Sequence, residues 1–191
     1  MSIRIGIILS SVREGRVGET VANWVLDQAN KQNLEDVTFE LVDLKNFDLP
    51  FLGSNASEAQ IKAIGAWSQT MSSFDGYVVV TPEYNHVIPG TLQNALQFLK
   101  AEVANKSLAF VGYGWMGATR AISNAKEMVS FQGLAVVSQA IHIGFTNDFT
   151  GFGTADAKFN PGPWHNPEVV ALFSQVTKWA KALQLVREGK I

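Results

Sequence analysis

The sequence predicts an α/β fold, a doubly wound five-stranded parallel sheet with helices on both faces and the strand order 2-1-3-4-5. Short apolar runs alternate along the chain with segments whose apolar residues recur at helical spacing. The runs are apolar on both faces, as in parallel strands that helices cover on both sides. A chain of 191 residues with 47% hydrophobic content is long enough for one core and short for two, so we expect a single domain over residues 1–191.

The elements can be placed by these two patterns. The predicted strands cover residues 3–9, 37–42, 77–80, 107–111 and 134–137, with 141–143 extending the last. Helical faces are formed by Val17, Val21, Trp24 and Val25; by Ile61, Ile64, Trp67 and Met71; by Leu92, Ala95, Leu96 and Leu99; by Ala121, Ile122, Ala125 and Val129; and within 168–187. Residues 43–56 form a loop long enough to line a site or a subunit contact, and 146–166 form a long irregular segment.

Composition narrows the class of protein. The net charge of −2 gives no reason to expect binding to nucleic acid or to an anionic membrane. Without cysteine the chain has no thiolate catalysis or iron–sulfur site, so redox chemistry would need a bound cofactor. The three histidines lack metal-ligand spacing, and no metal is expected. No apolar run approaches the length of a membrane span, so a cytoplasmic location is the default expectation.

The turn after the first predicted strand has the composition of an anion site. Residues 10–20 combine hydroxyls and glycines with Arg13 and Arg16 immediately before a helix. Amides at a helix start point toward a ligand, and Ser11 with the arginines adds donors. Neither a Gly-x-Gly-x-x-Gly nor a P-loop pattern is present, which disfavours dinucleotide and ATPase sites. An ordinary connection with solvated arginines remains the alternative interpretation.

Two further loops follow predicted strands and would flank the same crevice. After the third strand, Pro82 provides a stiff wall, Tyr84 an aromatic face, and Asn85 both donor and acceptor groups. After the fourth strand, three glycines within 112–117 permit close approach of backbone to a ligand. One end of the crevice then suits an anion and the other a flat ring, which are the two features of FMN.

These three loops together resemble those of the NAD(P)H-dependent FMN reductases, enzymes of flavodoxin-like fold. The matching motifs are Ser11-x-Arg13-x-x-Arg16; Thr81-Pro82-Glu83-Tyr84-Asn85-His86 with Pro89-Gly90-x-Leu92-x-Asn94-Ala95; and Gly112-Tyr113-Gly114 with Gly117 and Arg120-Ala121. The likeness covers about residues 3–143. It implies non-covalent FMN, reduction by NADPH or NADH, and a homodimer or homotetramer. It also implies small-molecule acceptors such as quinones, azo compounds, free flavin or metal oxyanions.

The resemblance also assigns residues. The phosphate would be held by Ser11, Arg13 and Arg16, with the amides of Gly18 and Glu19 nearby; the flavin ring would be bordered by Pro82, Glu83, Tyr84, Asn85, Gly114, Trp115 and Gly117; and the substrate would meet Tyr84, Asn85, His86 and Trp115. No catalytic side chain is named, because hydride transfer takes place on flavin N5. The sequence departs from the family at Ser10, where glycine is usual, at Gln93, where lysine is usual, and at Gln97, where aspartate is usual.

Other interpretations remain open at this point. A flavodoxin-like electron carrier would bind FMN but take electrons from a protein; such carriers are usually strongly acidic, and this chain is near neutral. A flavin-binding sensor without turnover would share all three loops. Glu83 could act as a general acid, but a structural bond to backbone or to an arginine of a neighbouring subunit is the favoured interpretation.

Overall fold

The computed structural model describes residues 2–154 and 156–191 and confirms the alternation of strands and helices. The strands are β1 (Ile3–Leu9), β2 (Val37–Asp43), β3 (Gly76–Pro82), β4 (Lys106–Gly114), β5 (Leu134–Gly144), β6 (Phe149–Thr150) and β7 (Lys158–Phe159). The helices are α1 (Gly18–Lys31), α2 (Glu58–Ser72), α3 (Gly90–Gln97), α4 (Thr119–Ser130) and α5 (His165–Arg187). A 3-10 turn, Leu44–Asn46, follows β2.

The first five strands form one parallel sheet in the order β2-β1-β3-β4-β5, as predicted. Ile5 of β1 lies between Phe39 of β2 and Gly76 of β3 in the register. Strand order therefore reverses between β1 and β3. In open α/β sheets the crevice at this switch point, beyond the carboxyl ends of the strands, is where ligands bind.

Each face of the sheet packs against its own set of helices. On one face, Ile5 and Ile7 of β1 pack with buried residues of α1 and α5. On the other, α2, α3 and α4 bury residues such as Trp67 and Ile122 against Tyr77, Val79 and the strands beside them. Burial of each large side chain contributes about 1.5–3 kcal/mol, so the two cores fix the strand ends firmly. None of the described helices is both long and apolar enough to cross a membrane.

The fifth strand is longer than predicted and contains a bulge. Leu108 of β4 pairs with Val136, but Phe110 pairs with Ala140, so two extra residues of β5 are accommodated between them. The apolar pattern breaks at the polar residues Ser138 and Gln139, which is why the sequence suggested two short segments. Both are held by Gln175 of α5, whose Oε1 accepts from the Ser138 hydroxyl at 3.0 Å and the Gln139 amide at 3.1 Å.

The segment predicted as irregular, 146–166, has more order than expected, with residue 155 lying outside the described part. β6 and β7 form a short antiparallel pair, and α5 begins at His165, three residues earlier than predicted. Buried Asp148 anchors the segment by accepting from the amides of Gly144 at 2.8 Å and Gly162 at 3.2 Å and lying 3.0 Å from His165 Nε2. This anchor was missed because a lone aspartate in a loop carries no periodic signal.

Candidate functional site

The loops after β1, β3 and β4 meet at the carboxyl edge of the sheet around a cleft of about 200 Å³. Its lining comprises Arg13, Gly15, Arg16, Val17, Pro82, Glu83, Tyr84, Tyr113, Gly114, Trp115, Phe145 and Phe152. Seven of the predicted site residues are among them, so the structure brings the three predicted loops together.

A larger cavity of about 340 Å³ lies beside it, against the loop of residues 43–56. It is lined by apolar groups such as Phe47, Leu49 and Phe51 together with Asn94 of α3. Asn94 holds the loop in place, donating to the Pro50 carbonyl at 2.8 Å and accepting from the Leu52 amide at 3.0 Å. None of the predicted cofactor residues lines this cavity, and we therefore place the candidate site in the smaller cleft.

Arg16 is fixed by neighbouring protein groups. Its side chain is only 5% exposed and pairs with Asp43 at the end of β2 and with Glu19 on α1. Nε and Nη2 donate to Glu19 at 3.0 and 2.7 Å, Nη1 and Nη2 donate to Asp43, and Nη1 also donates to the Ser11 carbonyl. All five N–H groups of the guanidinium are therefore engaged. These contacts favour a positioning role, and direct binding of phosphate by Arg16 stays a prediction.

Arg13 and Ser11 are arranged differently from Arg16. Arg13 is exposed at the rim of the cleft and makes no hydrogen bond within the described residues. Ser11 is buried, and its hydroxyl lies 3.3 Å from that of Tyr84, so the loops after β1 and β3 touch here. The preceding Ser10, at a position where the family usually has glycine, is buried and donates to the Val80 carbonyl at 2.9 Å. The hydrogen bond to β3 therefore accommodates the serine hydroxyl at this position.

Helix α1 begins beside these groups. Gly18 is its first residue, and Val17 at the N-cap has no side-chain oxygen to satisfy the first amides. The Glu19 carboxylate turns back to Arg16, so Glu19 could meet a ligand only through its amide. The uncapped helix start, with its positive electrostatic character, borders the cleft at Val17, and anion binding there stays a prediction.

Residues 84–87 form a tight hairpin that the sequence did not reveal. The amide and carbonyl of Tyr84 exchange hydrogen bonds with those of Val87 at 2.9 and 3.1 Å. Asn85 and His86 at the tip both have positive φ, 50° and 69°, a conformation that these residue types tolerate better than most. Both are exposed and lie outside the cleft lining, so their predicted contacts with flavin and substrate stay predictions. Tyr84 alone of the three lines the cleft.

Glu83 is tied to the start of α4. Its carboxylate accepts from the Arg120 side chain at 2.8 Å and from the amides of Arg120 and Ala121 at 3.2 Å each. It thereby caps a helix whose own N-cap, Ala118, has no side-chain cap. Burial alone would raise the pKa of Glu83, but the bonds from Arg120 and the Ala121 amide together hold it below its usual value. These contacts are those of a structural carboxylate, within one chain.

The glycine loop after β4 serves two purposes. Gly114 and Trp115 line the cleft, whereas Gly117 packs against β5. A Cβ at Gly117 would lie 2.7 Å from that of His142, and its φ of +58° also favours glycine. Packing thus accounts for Gly117, and its predicted approach to the flavin stays a prediction.

An aromatic wall closes one side of the cleft. Trp115, 66% exposed, contacts the edges of Phe145 and Phe152 with ring centroids 5.7 and 5.6 Å away. Phe145 and Phe152 stack on each other at 3.7 Å. The two phenylalanines were not predicted as site residues because they lie in the segment without periodicity. Trp115 was predicted to lie at the flavin. Its ring is supported by contacts with these two phenylalanines.

Tyr113 was also missed. It was recognised only as part of the glycine motif, yet it is buried at the end of β4, between Pro82 of β3 and Ile143 of β5 in the register. Extending the alternation of β4 by two residues from Val111 would have placed its side chain on the face covered by α1. Its hydroxyl reaches the start of that helix.

Comparison with known proteins agrees with this geometry. The family model described as NADPH-dependent FMN reductase matches residues 3–148. The chain is 33% identical over 132 residues to NAD(P)H-dependent FMN reductase ntnL of Nectria sp, covering 65% of this chain and 66% of the relative. An NAD(P)H-dependent FMN reductase of Schizosaccharomyces pombe is 33% identical over 138 residues, which cover 67% of this chain and 66% of the relative. The matches thus span just under two thirds of these relatives.

Solved structures show the same fold. The flavoenzyme FerB, an NAD(P)H:(acceptor) oxidoreductase of Paracoccus denitrificans, superposes with a TM-score of 0.67 at 17% identity, covering 94% of this chain and 98% of that one. The family model spans all five strands of the parallel sheet and the three loops of the cleft. The chain therefore belongs to the NADPH-dependent FMN reductase family.

Proposed function

We propose that the protein is an NAD(P)H-dependent oxidoreductase that binds FMN non-covalently in the 200 Å³ cleft and passes electrons to small acceptors. One observation carries the proposal: the uncapped start of α1 and Arg13, which has no partner among the described residues, border the same cleft as aromatic and backbone walls. The family match supports the same cofactor and electron donor. Net charge and the free arginine favour it over an electron carrier.

The groups present suit FMN. A phosphate needs donors, and the α1 amides, Ser11 and Arg13 supply them, while the carboxylates of Asp43 and Glu19 are both bonded to Arg16 and that of Glu83 to Arg120. A flat ring needs rigid walls, which Pro82 and Trp115 provide. FMN, when bound, would supply two-electron hydride chemistry that no side chain of this chain can perform.

The protein's own task is then to orient and to exclude water. The hairpin of residues 84–87 places Tyr84 against Ser11, and the Glu83–Arg120 pair fixes the base of that hairpin to α4. The aromatic wall of Trp115, Phe145 and Phe152 limits water on the other side. We propose that acceptors are flat and largely apolar, since this wall offers ring faces and edges in place of charges.

Visible absorbance of the purified protein tests the proposal. The protein is incubated with FMN, freed of excess, and treated without oxygen with NADPH and, separately, NADH. We expect retained yellow colour that either nucleotide bleaches and that a quinone added afterwards restores. Retained colour without bleaching would instead indicate the carrier or sensor, and no retained flavin would overturn the proposal.

We also propose a homodimer or homotetramer, as the resemblance implies. Leu52 and Phe131, 53% and 95% exposed, line one groove with Leu96 and Met128. Exposed apolar area of this kind is typical of subunit contacts. Sedimentation of the protein and of a Phe131→Asp variant tests this: we expect a multimer that dissociates on substitution, and a monomeric wild type would exclude it.

A further inference from the structure

The hydroxyl of Tyr113 is the most conspicuous unpaired group at the site. Tyr113 is 3% exposed, and its hydroxyl has no hydrogen-bond partner among the residues that the structure describes. Buried polar groups are nearly always satisfied. A buried tyrosine hydroxyl without a hydrogen bond therefore points to a partner from outside the chain.

The surroundings of the hydroxyl show what that partner would be. A Cβ built on Gly18 would lie 2.4 Å from the Tyr113 hydroxyl, so the oxygen sits against the first residue of α1 and occupies the space that only glycine leaves. The amides of Gly18 and Glu19, the first two of this 14-residue helix, have no acceptor among the described residues, and the Val17 side chain cannot cap them. The unpaired hydroxyl and the unsatisfied helix start therefore face the same place.

The other groups near that place are also donors. Burial raises the pKa of Tyr113, whereas the Ser11 hydroxyl, which lies near enough to turn toward the Tyr113 oxygen although no hydrogen bond of normal geometry joins them, and the positive charges of Arg16 and Arg13 lower it. Tyr113 and Arg13 line the same cleft. A cluster of hydroxyls, helix amides and a guanidinium, with no free carboxylate, is complementary to an anion.

We propose that the Tyr113 hydroxyl is a phosphate-binding group that donates a hydrogen bond to the phosphate of FMN beside the α1 amides and Arg13. This assignment rests on the proposed function, because it takes FMN as the ligand. One contact with the phosphate would explain both observations: the glycine at position 18 leaves space for the hydroxyl, and the hydroxyl has no partner among the described residues. Tyr113 binds the cofactor's tail, and the ring chemistry does not involve it.

The test compares two flavins on a Tyr113→Phe variant, which removes one oxygen and leaves the ring in place. FMN carries the phosphate and riboflavin lacks it. We expect the dissociation constant for FMN to rise about tenfold or more, since a hydrogen bond to a charged group is lost, and that for riboflavin to stay within about twofold. Flavin fluorescence quenching measures both.

A matched control is Tyr77→Phe, at the opposite end of the sheet. Tyr77 is as buried as Tyr113, but its hydroxyl donates to the Met71 carbonyl at 2.5 Å. We expect this variant to keep wild-type affinity for FMN and to melt at a lower temperature. Flavin-free Tyr113→Phe should melt no lower than the wild type, because the oxygen it lacks has no partner in the flavin-free protein.

The outcomes separate the two hypotheses. A wild type that binds neither flavin overturns the proposed function together with this inference. If the wild type binds FMN and Tyr113→Phe binds it equally well, only the inference falls, and an internal water would account for the hydroxyl. Equal losses for FMN and riboflavin would likewise overturn it, by placing Tyr113 at the ring.

Discussion

At the amino end of the sheet, buried Tyr77 and Lys106 and half-buried Asp75 all bond to other groups of the chain, whereas at the carboxyl end the hydroxyl of buried Tyr113 and the exposed Arg13 side chain have no hydrogen-bond partner among the described residues. Lys106 Nζ donates to the carbonyls of Met71 at 3.1 Å and Ser72 at 2.8 Å. Asp75 accepts from the Arg4 amide at 2.9 Å and from Arg187. The donors of these side chains are therefore paired, and the buried atoms without a partner near this end, Gln132 Oε1 and Gln184 Oε1, are acceptors.

This contrast indicates which end of the parallel sheet binds ligands, although the two ends are built alike. Both ends bury a tyrosine from neighbouring strands, and both contain arginine and a helix terminus. Among the described residues at the carboxyl end, donors are left over at Tyr113, Arg13 and the start of α1. Substitutions at the amino end should therefore affect stability alone, and those at the carboxyl end should affect ligand binding.

The largest expected effect on stability is at Lys106. Lys106→Met removes the donor to two carbonyls at the end of α2 and to the Tyr77 hydroxyl. We expect the free energy of unfolding to fall by about 2–3 kcal/mol, because buried acceptors are left unpaired. FMN affinity should not change. Urea denaturation measures the effect, with exposed Lys62→Met as the control; a large loss of flavin affinity in Lys106→Met would break the contrast between the two ends.

The two arginines at the carboxyl end provide the next test. Arg13→Ala should weaken FMN binding by about 1.5–3 kcal/mol with unchanged stability, because its guanidinium has no protein partner to lose. Arg16→Ala should instead lower the free energy of unfolding by about 1–2 kcal/mol, because Asp43 and the Ser11 carbonyl lose their donor. Titration with FMN and urea denaturation of both variants separate the roles. Weaker FMN binding by a fully stable Arg16→Ala variant would restore Arg16 as a phosphate ligand.

Alkaline pH should increase the stability of the folded protein through Lys106 at the amino end of the sheet. Burial lowers the pKa of Lys106 from its ordinary value of 10.5 to about 8. Between these values the unfolded chain binds more protons than the folded one, so stability rises with pH. We expect a gain of about 1–2 kcal/mol from pH 8 to 9.5 in the wild type and none from this source in Lys106→Met. Equal pH profiles would show that the carbonyls around Nζ offset its burial.

The smallest expected effect is at Glu83, which lies at the carboxyl end but is paired. Since the pKa of Glu83 in the folded protein is below its ordinary value of 4.5, its contribution to stability is complete above about pH 4.5 and is lost as pH falls through the lowered pKa. Glu83→Gln should cost about 1 kcal/mol at pH 7 and show a shallower loss in acid. Flavin affinity that follows this stability change would confirm a structural carboxylate; reductase activity lost from a stable variant would indicate a general acid.

Much of the fold could be predicted because the parallel strands are apolar on both faces and the helices have clear apolar stripes. The three loops of the site could be predicted from their residue types and from their positions after predicted strands. Which donors remain free could not, since Arg13 and Arg16 look equivalent until Asp43 is brought from the end of β2. Tyr113 was missed for a similar reason, because its idle hydroxyl depends on the absence of a side chain at Gly18.

The hydrogen bonds of Arg16 should also affect the rate of flavin binding. It joins the loop after β1 to α1 and to the end of β2, so that loop is already ordered before any ligand arrives. A preformed loop has little conformational entropy left to lose on association. Flavin uptake should then be a single fast step whose observed rate grows linearly with FMN concentration, without a slow rearrangement that would make it level off.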